Sequence, residues 1–388
     1  MSARACQCGA AFVEVTYAER VPPAGPLSVV TAWLRKHRQP FDQGEEVSLG
    51  QGSTPLVPLP AVAPGVLLKD ETANPTWSHK DRANGTNAAA ARMLGSLGMI
   101  ASTTGNHGAS VAAFAAAAGL PAIILCRPEM PVALVKMVWA YSGIPVAVES
   151  HAELDLIARF VASGWYPATS LERGQGGRTT PFGAEAYKRI SWELADQLGQ
   201  VPSAVVVPTA GGDTYYGILK GFAELADCTG GTCPRVIAVQ PDGANPLQRS
   251  AQLGSIATVP DAASVALSIA NHRTGLQALV ALQRWGGEVV SVSEVELSTA
   301  FADMAAMGHL LEPASAASLA GYRTAHRLGM ISANDVVVLL GTASGAKWLA
   351  RADAGVPDGP LTSAADLMVQ LRARELPAPL TLTTGDDS

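Results

Sequence analysis

Residues 74–82 read NPTWSHKDR and follow an apolar run, Val66–Asp70, that predicts a β-strand. Asn-Pro indicates a turn, Ser78 is a candidate N-cap, and an alanine-rich helical pattern continues to Gly95. Lys80 is therefore predicted in the first turn of a helix, above the end of a strand. The positive end of the helix dipole and burial both lower the pKa of an ammonium there, so Lys80 is a candidate nucleophile.

Taken alone, Lys80 is also typical of a solvated lysine at the start of a helix. Two other stretches favour a functional role. Residues 102–108 read STTGNHG, and residues 209–214 read TAGGDT directly after an apolar strand pattern. In this order and spacing, the three segments resemble the β-family of pyridoxal-phosphate enzymes (fold type II, tryptophan synthase β-like). The resemblance is strongest to threonine synthases, with threonine/serine dehydratases as near relatives, and runs from about Ser53 to Lys347.

Composition and charge exclude several other classes. The net charge of -6 is spread over interspersed acidic and basic residues, and no basic patch predicts nucleic-acid binding. The N-terminus lacks a signal-peptide pattern, and the apolar stretch 109–126 is interrupted by Gly-Leu-Pro at 119–121, so it does not predict a membrane span. We therefore expect a soluble, cytoplasmic protein with a small amino-acid substrate, no nucleic-acid or membrane partner and, as the resemblance implies, a homodimeric assembly.

The five cysteines do not indicate a disulfide framework in a chain of 388 residues. Cys6 and Cys8 resemble a degenerate remnant of the cysteine knuckle that opens many threonine synthases. The next cysteine is Cys126, too far along the chain to complete a local zinc site. Cys228 and Cys233 flank a Gly-Gly turn and are interpreted as loop residues, so no metal site is predicted.

Short β-branched runs alternate with helical patterns along most of the chain, which predicts parallel β/α units. The resemblance implies an α/β fold of two doubly wound parallel-sheet domains with the cofactor in the cleft between them. The loop-rich segment 243–269 is interpreted as a mobile lid or a subunit contact. The implied division is an N-terminal peripheral segment (1–50), a large cofactor-binding domain (51–83 and 172–355), a small nested domain (84–171), and a C-terminal helix (Leu361–Glu375) with a flexible tail (356–388).

A pyridoxal-phosphate enzyme needs an amine for its Schiff base, a cradle for the phosphate, a partner for the ring nitrogen and a grip on the substrate carboxylate. The resemblance assigns Lys80 the Schiff base and, once the amine is released, transfer of the α-proton. A strand-to-helix turn with small residues directs N–H groups and a helix dipole at an anion, although an ordinary β-α turn needs only one glycine. The implied phosphate cradle is Thr209, Ala210, Gly211, Gly212, Asp213 and Thr214.

The STTGNHG stretch supplies the next set of implied contacts. Asn106 is implied to contact the phenolic oxygen of the cofactor. The start of the following helix suits the substrate carboxylate, although N-capping alone explains one of its hydroxyls, and the histidine could instead face solvent. The residues implied to bind substrate here are Ser102, Thr103, Thr104 and His107.

The end of the last predicted strand carries the implied partner of the ring nitrogen. Thr342 matches the family position best, and Ser344 is the second candidate. A hydroxyl leaves the ring nitrogen largely neutral, which favours prompt loss of a leaving group over a long-lived carbanion. Glu312 matches an acidic position near the cofactor and substrate, and it equally suits a first-turn glutamate that stabilises a helix dipole.

Three features depart from threonine synthases, and one of them is Gly105-Asn106-His107, which resembles dehydratases more than threonine synthases. His79 replaces the usual phenylalanine, and the tryptophan synthase β-subunit, which has a similar His-Lys pair, implies that it contacts the cofactor phosphate. In residues 179–188, TTPFGAEAYK, Gly183 occupies the place of an arginine that holds the phosphate of O-phosphohomoserine. Losing such a donor costs roughly 2 kcal/mol or more. Lys188 or Arg189 could compensate, or the substrate differs.

The resemblance therefore implies a threonine synthase-like lyase that eliminates or replaces a β- or γ-substituent of an amino acid. O-Phospho-L-homoserine, converted to L-threonine and phosphate, is the first candidate substrate. A threonine/serine dehydratase and a β-replacement synthase of a specialised pathway are the catalytic alternatives. A non-catalytic relative is the remaining one, and the intact Lys80, Asn106 and glycine loop argue against it.

Overall fold

The structure is a computed structural model that describes residues 14–18, 20–41, 45–148, 153–168, 181–260 and 262–349. The predicted cysteine remnant at Cys6 and Cys8 and the predicted helix Leu361–Glu375 lie outside these residues. In the described part no helix is long and apolar enough to cross a membrane.

Strands and helices alternate along the chain as the sequence predicts. The strands are β1 Leu56–Pro58, β2 Val66–Asp70, β3 Met99–Thr103, β4 Ala122–Cys126, β5 Ile144–Ala147, β6 Tyr166–Pro167, β7 Ala204–Pro208, β8 Arg235–Pro241, β9 Glu288–Val292 and β10 Val337–Gly341. The helices are α1 Leu27–His37, α2 Lys80–Met93, α3 Asn106–Ala117, α4 Val132–Ala140, α5 Glu153–Ala162, α6 Pro181–Ala186, α7 Lys188–Leu198, α8 Asp213–Thr229, α9 Pro246–Leu253, α10 Leu276–Trp285, α11 Glu294–Ala306 and α12 Pro313–Arg327.

Two sheets organise these elements. The larger sheet has the strand order β1-β2-β10-β7-β8-β9, and the smaller has the order β5-β4-β3-β6. Every neighbouring pair is parallel except β1 and β2, which pair antiparallel at one edge. The predicted α/β class with two parallel sheets is therefore confirmed, with one antiparallel edge strand added.

The strands of the smaller sheet all lie within residues 99–167, and those of the larger sheet come from both flanks. This arrangement agrees with a small domain nested in a large one. However, α2 (Lys80–Met93) crosses the predicted boundary at residues 83–84. The division into domains stays a prediction.

Both faces of the larger sheet are buried. Val206 of β7 packs in one core layer with Leu297 of α11 and Leu319 of α12. Its neighbours Val205 and Val207 pack in the opposite layer with helices that include α8. A parallel sheet covered on both faces needs uninterrupted apolar strands, which explains the run AVVV in β7.

Two predicted segments differ from the structure. The sequence from Ala184 to Leu198 has the pattern of a single helix, but in the structure a turn at Tyr187 separates α6 from α7. There α8 approaches so closely that a Cβ on Gly217 would lie 2.5 Å from the Cβ of Tyr187. The segment 243–269, predicted as loop, contains α9, whose Leu247 N–H donates to the buried side chain of Gln240 at 2.8 Å. Gln240 belongs to the preceding strand β8 and adds nothing to the weak helical pattern of the segment, so the pattern alone did not reveal the helix.

A buried group of charges fixes the helix that carries Lys80. The guanidinium of Arg82 binds Glu71 after β2 (Nε to Oε2, 2.6 Å) and Glu193 of α7 (Nη1 to Oε1, 2.7 Å). The ammonium of Lys69 donates to the second oxygen of Glu193 at 2.9 Å. Because these four side chains are buried and paired with one another, they hold α2, β2 and α7 in a single arrangement.

We expect Glu193→Gln to lower the free energy of unfolding by roughly 3–5 kcal/mol, because it leaves Arg82 and Lys69 short of a buried counter-charge. Burial alone would raise the pKa of Glu193, but Arg82 and Lys69 hold that pKa well below its ordinary value of 4.5. A depressed pKa stabilises the fold above the unfolded value, and this stabilisation is lost as the pH falls below about 4.5 toward the folded pKa. Wild-type stability should therefore fall more steeply in acid than that of the variant, as measured by urea denaturation from pH 7 to pH 3.

The matched control is Asp155→Asn, which breaks the exposed pair between Asp155 and Arg159 in α5. Exposed pairs of this spacing contribute only about 0.3–0.5 kcal/mol. Equal effects of the two variants would show that the buried group does not hold α2.

Candidate active site

The predicted site residues gather at the carboxyl ends of four parallel strands. β3 leads into α3 at Asn106, β7 leads into α8 at Asp213, and β10 ends next to Thr342. β2 is followed by a short 3₁₀ turn and the loop to Lys80. Crevices beyond the carboxyl ends of parallel strands are the usual ligand sites of open α/β sheets.

Lys80 begins α2 and lies in its first turn, as predicted. The N-cap position, however, is His79 and not the predicted Ser78, whose Oγ accepts a hydrogen bond from the Lys80 N–H at 3.2 Å. The side chain is half-buried, with its Nζ 5.9 Å from the ring centroid of Tyr187. Within the described residues Nζ makes no hydrogen bond or ion pair. Burial lowers the pKa of Lys80, and the carboxylates of Asp213 and Glu312 partly oppose that shift. The amine is therefore poised to react.

The TAGGDT turn has the features of an anion cradle. Gly212 has φ +98°, and a Cβ there would lie 2.2 Å from the Cβ of Ala278, so only glycine fits. A Cβ on Gly211 would instead meet nothing within 4 Å. In the described part of the chain, the amide N–H groups of Ala210, Gly211 and Gly212 have no acceptor. Amides at the start of α8 can therefore donate to an anion above Gly211.

One buried hydrogen bond connects the smaller sheet with the larger one at the site. Asn106 Nδ2 donates to Glu312 Oε2 at 2.7 Å, and both side chains are buried. Burial raises the pKa of Glu312, while Lys347 and Asn106 act against that rise. Asn106 Oδ1 is buried and lacks a donor among the described residues. A buried amide oxygen without a donor is rare and indicates that a ligand group belongs beside it.

The hydroxyl predicted to face the ring nitrogen is part of a pair. Thr342 Oγ1 lies 2.6 Å from Ser315 Oγ, which also accepts from the Ala343 N–H at 2.7 Å. The second candidate, Ser344, accepts instead from the Ala346 N–H at 3.2 Å, where it caps a 3₁₀ turn. The geometry thus favours Thr342 over Ser344, with Ser315 as its neighbour.

In the STTGNHG stretch, one hydroxyl is bonded within its own loop and two have no partner among the described residues. Thr103 Oγ1 accepts from the Gly105 N–H at 2.8 Å and from the Gly108 N–H at 3.1 Å, so it caps its own loop. The hydroxyls of Ser102 and Thr104 make no hydrogen bond within the described residues, which keeps them as candidate substrate contacts.

His107 has both ring nitrogens occupied. Nε2 faces the Ala168 carbonyl at 2.6 Å, so it carries the proton, and Nδ1 can accept from Asn84 Nδ2 at 3.4 Å. Burial, together with the charge of Lys80, lowers the pKa of His107 to about 4. The ring is therefore neutral near pH 7 and fixes the start of α3, and it has no nitrogen left for a substrate carboxylate.

His79 lies next to the end of β10 and the ring of Tyr187. Its Nδ1 is 3.0 Å from the Thr342 carbonyl oxygen, so Nδ1 carries a proton and Nε2 is the remaining nitrogen. Burial, followed by the charge of Lys80, holds the pKa of His79 well below its usual range. The ring centroid is 5.6 Å from that of Tyr187. A phosphate contact through Nε2 stays a prediction, and it requires the protonated ring.

The residues expected to compensate for Gly183 are engaged elsewhere. Lys188 Nζ is fully buried against Glu185 at 2.6 Å and Glu224 at 2.9 Å. Arg189 forms a two-nitrogen contact with Glu46, each at 2.7 Å. A Cβ on Gly183 would lie 2.9 Å from Asn87 Nδ2, so a larger residue would displace that amide. The predicted substrate contact by Lys188 therefore has no support in the geometry.

Sequence reasoning missed four side chains around the site. Tyr187 was hidden inside a helical pattern, and Gln277, whose Nε2 donates to Asp213, comes from a segment predicted only as the start of a helix. Ser315 lies three residues after Glu312, and the sequence analysis assigned it no role. Lys347 followed a glycine-rich turn, and only its burial against the loop before Lys80 identifies it.

The chain is similar in sequence to a known enzyme family over most of its length. Residues 47–342 match the family model described as pyridoxal-phosphate dependent enzyme. Threonine synthase of Bacillus sp. (strain ULM1) is 32% identical over 309 residues, covering 78% of this chain and 85% of that protein. Threonine synthase of Halalkalibacterium halodurans is 31% identical over 310 residues, covering 78% and 84%. The chain therefore belongs to the pyridoxal-phosphate-dependent enzymes of fold type II.

Solved structures support the fold alone. The processed form of threonine deaminase isoform 2 from Solanum lycopersicum has a TM-score of 0.67 at 20% identity, covering 89% of this chain and 99% of that one. Maize serine racemase has a TM-score of 0.66 at 17% identity, covering 83% and 92%.

The residues present fit pyridoxal phosphate. Lys80 offers an amine without a counter-ion, the turn at Gly211 offers amide donors and open space, and the orphaned Oδ1 of Asn106 needs a polar partner. Asn amide atoms are assigned from their surroundings, so a flipped Asn106 would direct Nδ2 to a phenolate and Oδ1 to a protonated Glu312. No group of residues in the described part of the chain could hold a metal ion.

We expect Asp213→Asn to bind pyridoxal phosphate about tenfold more tightly, because the variant removes a carboxylate from the phosphate cradle. Its affinity for pyridoxal, which lacks the phosphate, should change much less. The ratio of the two dissociation constants, measured by fluorescence titration, separates the phosphate effect from any change in Lys80. An unchanged ratio would show that Asp213 does not face the phosphate.

We expect His79→Phe to weaken binding of pyridoxal phosphate by about tenfold relative to pyridoxal in the same titration. Only the protonated ring can donate through Nε2, and the pKa of His79 is low. The difference between wild type and variant should therefore be largest at acid pH and shrink as the pH rises. If the variant binds pyridoxal phosphate with wild-type affinity at every pH, His79 does not contact the phosphate.

Proposed function

We propose that this protein is a pyridoxal-phosphate-dependent carbon–oxygen lyase of the threonine synthase type. It acts on an amino acid that carries an oxygen substituent on its β- or γ-carbon. The observation that carries the proposal is the unpaired, half-buried amine of Lys80, next to the amide cradle of Ala210–Gly212. The 31–32% identity to threonine synthases supports the same class.

The side chains have separable tasks in this proposal. Bound pyridoxal phosphate would supply an electron sink for charge that develops at the substrate α-carbon. Lys80 Nζ removes and returns the α-proton, and burial, which lowers the pKa of Lys80, favours the neutral, basic amine. The N–H groups at the start of α3, with the hydroxyls of Ser102 and Thr104, bind the substrate carboxylate. The Thr342 hydroxyl faces the ring nitrogen without fixing a proton on it.

The amide of Asn106 and the carboxyl of Glu312 form a buried polar pair at the site, and the charge of Glu312 acts on Lys80. Their mutual hydrogen bond of 2.7 Å connects the smaller sheet to α12, so neither group can move alone. Burial raises the pKa of Glu312, which favours the protonated carboxyl that a general acid for a leaving oxygen needs. Glu312 is thus the proposed general acid for the leaving group, and Lys80 is the proposed general base at the α-carbon.

O-Phospho-L-homoserine is the first candidate substrate, since the relatives with 31–32% identity are threonine synthases. Threonine or serine is the second, and one group of observations favours it. Gly183 packs against Asn87, and Lys188 and Arg189 are both held by carboxylates. The described residues thus offer no arginine or lysine at that place for a second phosphate.

A substrate panel read simultaneously for phosphate, ammonia and new amino acid tests the proposal. A threonine synthase gives phosphate and threonine in equal amounts from O-phospho-L-homoserine. A dehydratase gives ammonia and a 2-oxo acid from threonine or serine without any phosphate. Lys80→Ala should abolish the reaction, whereas Lys136→Ala, on the exposed face of α4, should not change it. Product formation that survives Lys80→Ala, or no product from any member of the panel, would contradict the proposal.

A further inference from the structure

The loop before Lys80 contains an unusual backbone conformation. Trp77 has φ +60°, a left-handed value that β-carbon-bearing residues rarely adopt. Its side chain is 49% exposed, so packing of the indole does not hold it there. The backbone bonds do, because the Trp77 N–H donates to the Asn74 carbonyl at 2.8 Å and its carbonyl accepts from the Ser344 N–H at 3.1 Å. Strain of this kind is kept where the surroundings impose it.

Lys347 supplies the strongest of those constraints. Its ammonium donates to the carbonyls of both Thr76 and Trp77, each at 3.0 Å. The side chain is only 3% exposed and begins in the 3₁₀ turn Gly345–Lys347, after β10. A single cation therefore binds two successive carbonyls in the loop, three and four residues before Lys80.

The charges that face Lys347 keep it in place. Burial lowers the pKa of Lys347 to about 8, and the carboxylates of Glu312 and Asp81 oppose that shift. Asp81, in turn, accepts from the Thr76 N–H at 2.6 Å. Thr76 is thus held on both sides of its peptide, by Asp81 at the N–H and by Lys347 at the carbonyl.

We propose that Lys347 is a positioning residue that holds Trp77 in its left-handed conformation and thereby directs Lys80 toward the cofactor. The inference rests on the proposed role of Lys80 as the amine that takes the cofactor aldehyde. Lys347 itself does not touch the cofactor or the substrate. The competing interpretation is that Lys347 serves only as the counter-ion of Glu312 and Asp81.

A double-mutant cycle separates the two interpretations. Lys347→Met removes the carbonyl contacts and should weaken binding of pyridoxal phosphate by about tenfold and reduce the fraction that borohydride traps on Lys80. Adding Trp77→Asn should restore both to within about twofold, because asparagine adopts left-handed backbone conformations readily. Trp77→Phe is the matched control and should not restore them. A counter-ion role predicts that neither substitution at Trp77 helps.

The first measurement is borohydride trapping of pyridoxal phosphate on the wild-type protein. If no cofactor is attached to Lys80 in wild type, the proposed role of Lys80 is wrong. If wild type is labelled there but Trp77→Asn fails to rescue Lys347→Met, only the positioning role is overturned. If Lys347→Met does not fold, the thermal stabilities of Trp77→Asn and Trp77→Phe, each made in the wild-type protein, decide. Relief of strain predicts a higher midpoint of thermal unfolding for Trp77→Asn than for Trp77→Phe. Equal or reversed midpoints overturn the inference.

Discussion

The carbonyl oxygen of Thr342 is the point on which the site depends. It accepts from the His79 N–H at 2.9 Å and from His79 Nδ1 at 3.0 Å. Next to it, Ser78 and Ala343 form an antiparallel bridge. These contacts fasten the start of α2 to the end of β10, which are more than 250 residues apart in the chain. Lys80 consequently lies beside the carboxyl end of the larger sheet rather than in solvent.

The basic residues of the described part of the chain differ in whether their side chains have partners. Burying a cation without a counter-charge is costly, so buried cations are paired or bonded to carbonyls. In the part of the chain that the structure describes, this holds for Lys69, Arg82, Lys188, Lys220 and Lys347. Lys80 alone among the site's basic side chains has neither an ion pair nor a hydrogen bond from its side chain. The fold thus neutralises the surrounding charges and leaves one amine for covalent chemistry.

Local sequence patterns predicted the elements whose boundaries depend on local chemistry. The strand Val66–Asp70 follows from an apolar run, and the start of the helix near Lys80 follows from an Asn-Pro turn and an alanine-rich pattern. The helix α9 was missed because its helical pattern is weak and its anchor, the side chain of Gln240, belongs to the preceding strand. The break at Tyr187 was missed because it depends on Gly217, which lies on a separate helix. Long-range contacts of this kind leave no periodic signal.

The site itself was predictable only as far as its motifs reach. Lys80, Asn106 and the glycine turn are recognisable because each combines a special residue with a strand-to-helix transition. The sequence could not show that both ring nitrogens of His107 are bonded, to Asn84 and to Ala168, or that the side chain of Lys188 is fully buried. Those outcomes are set by which helices pack together. The same packing buries Lys347 against the loop before Lys80, where no sequence motif predicts it.

The most direct test of the central claim is to map where the cofactor attaches. Purified protein is incubated with pyridoxal phosphate, reduced with borohydride, digested and analysed by mass spectrometry. The account predicts one phosphopyridoxyl group, on the peptide that contains Lys80. Attachment to Lys347 or another lysine instead, or no attachment, would contradict it.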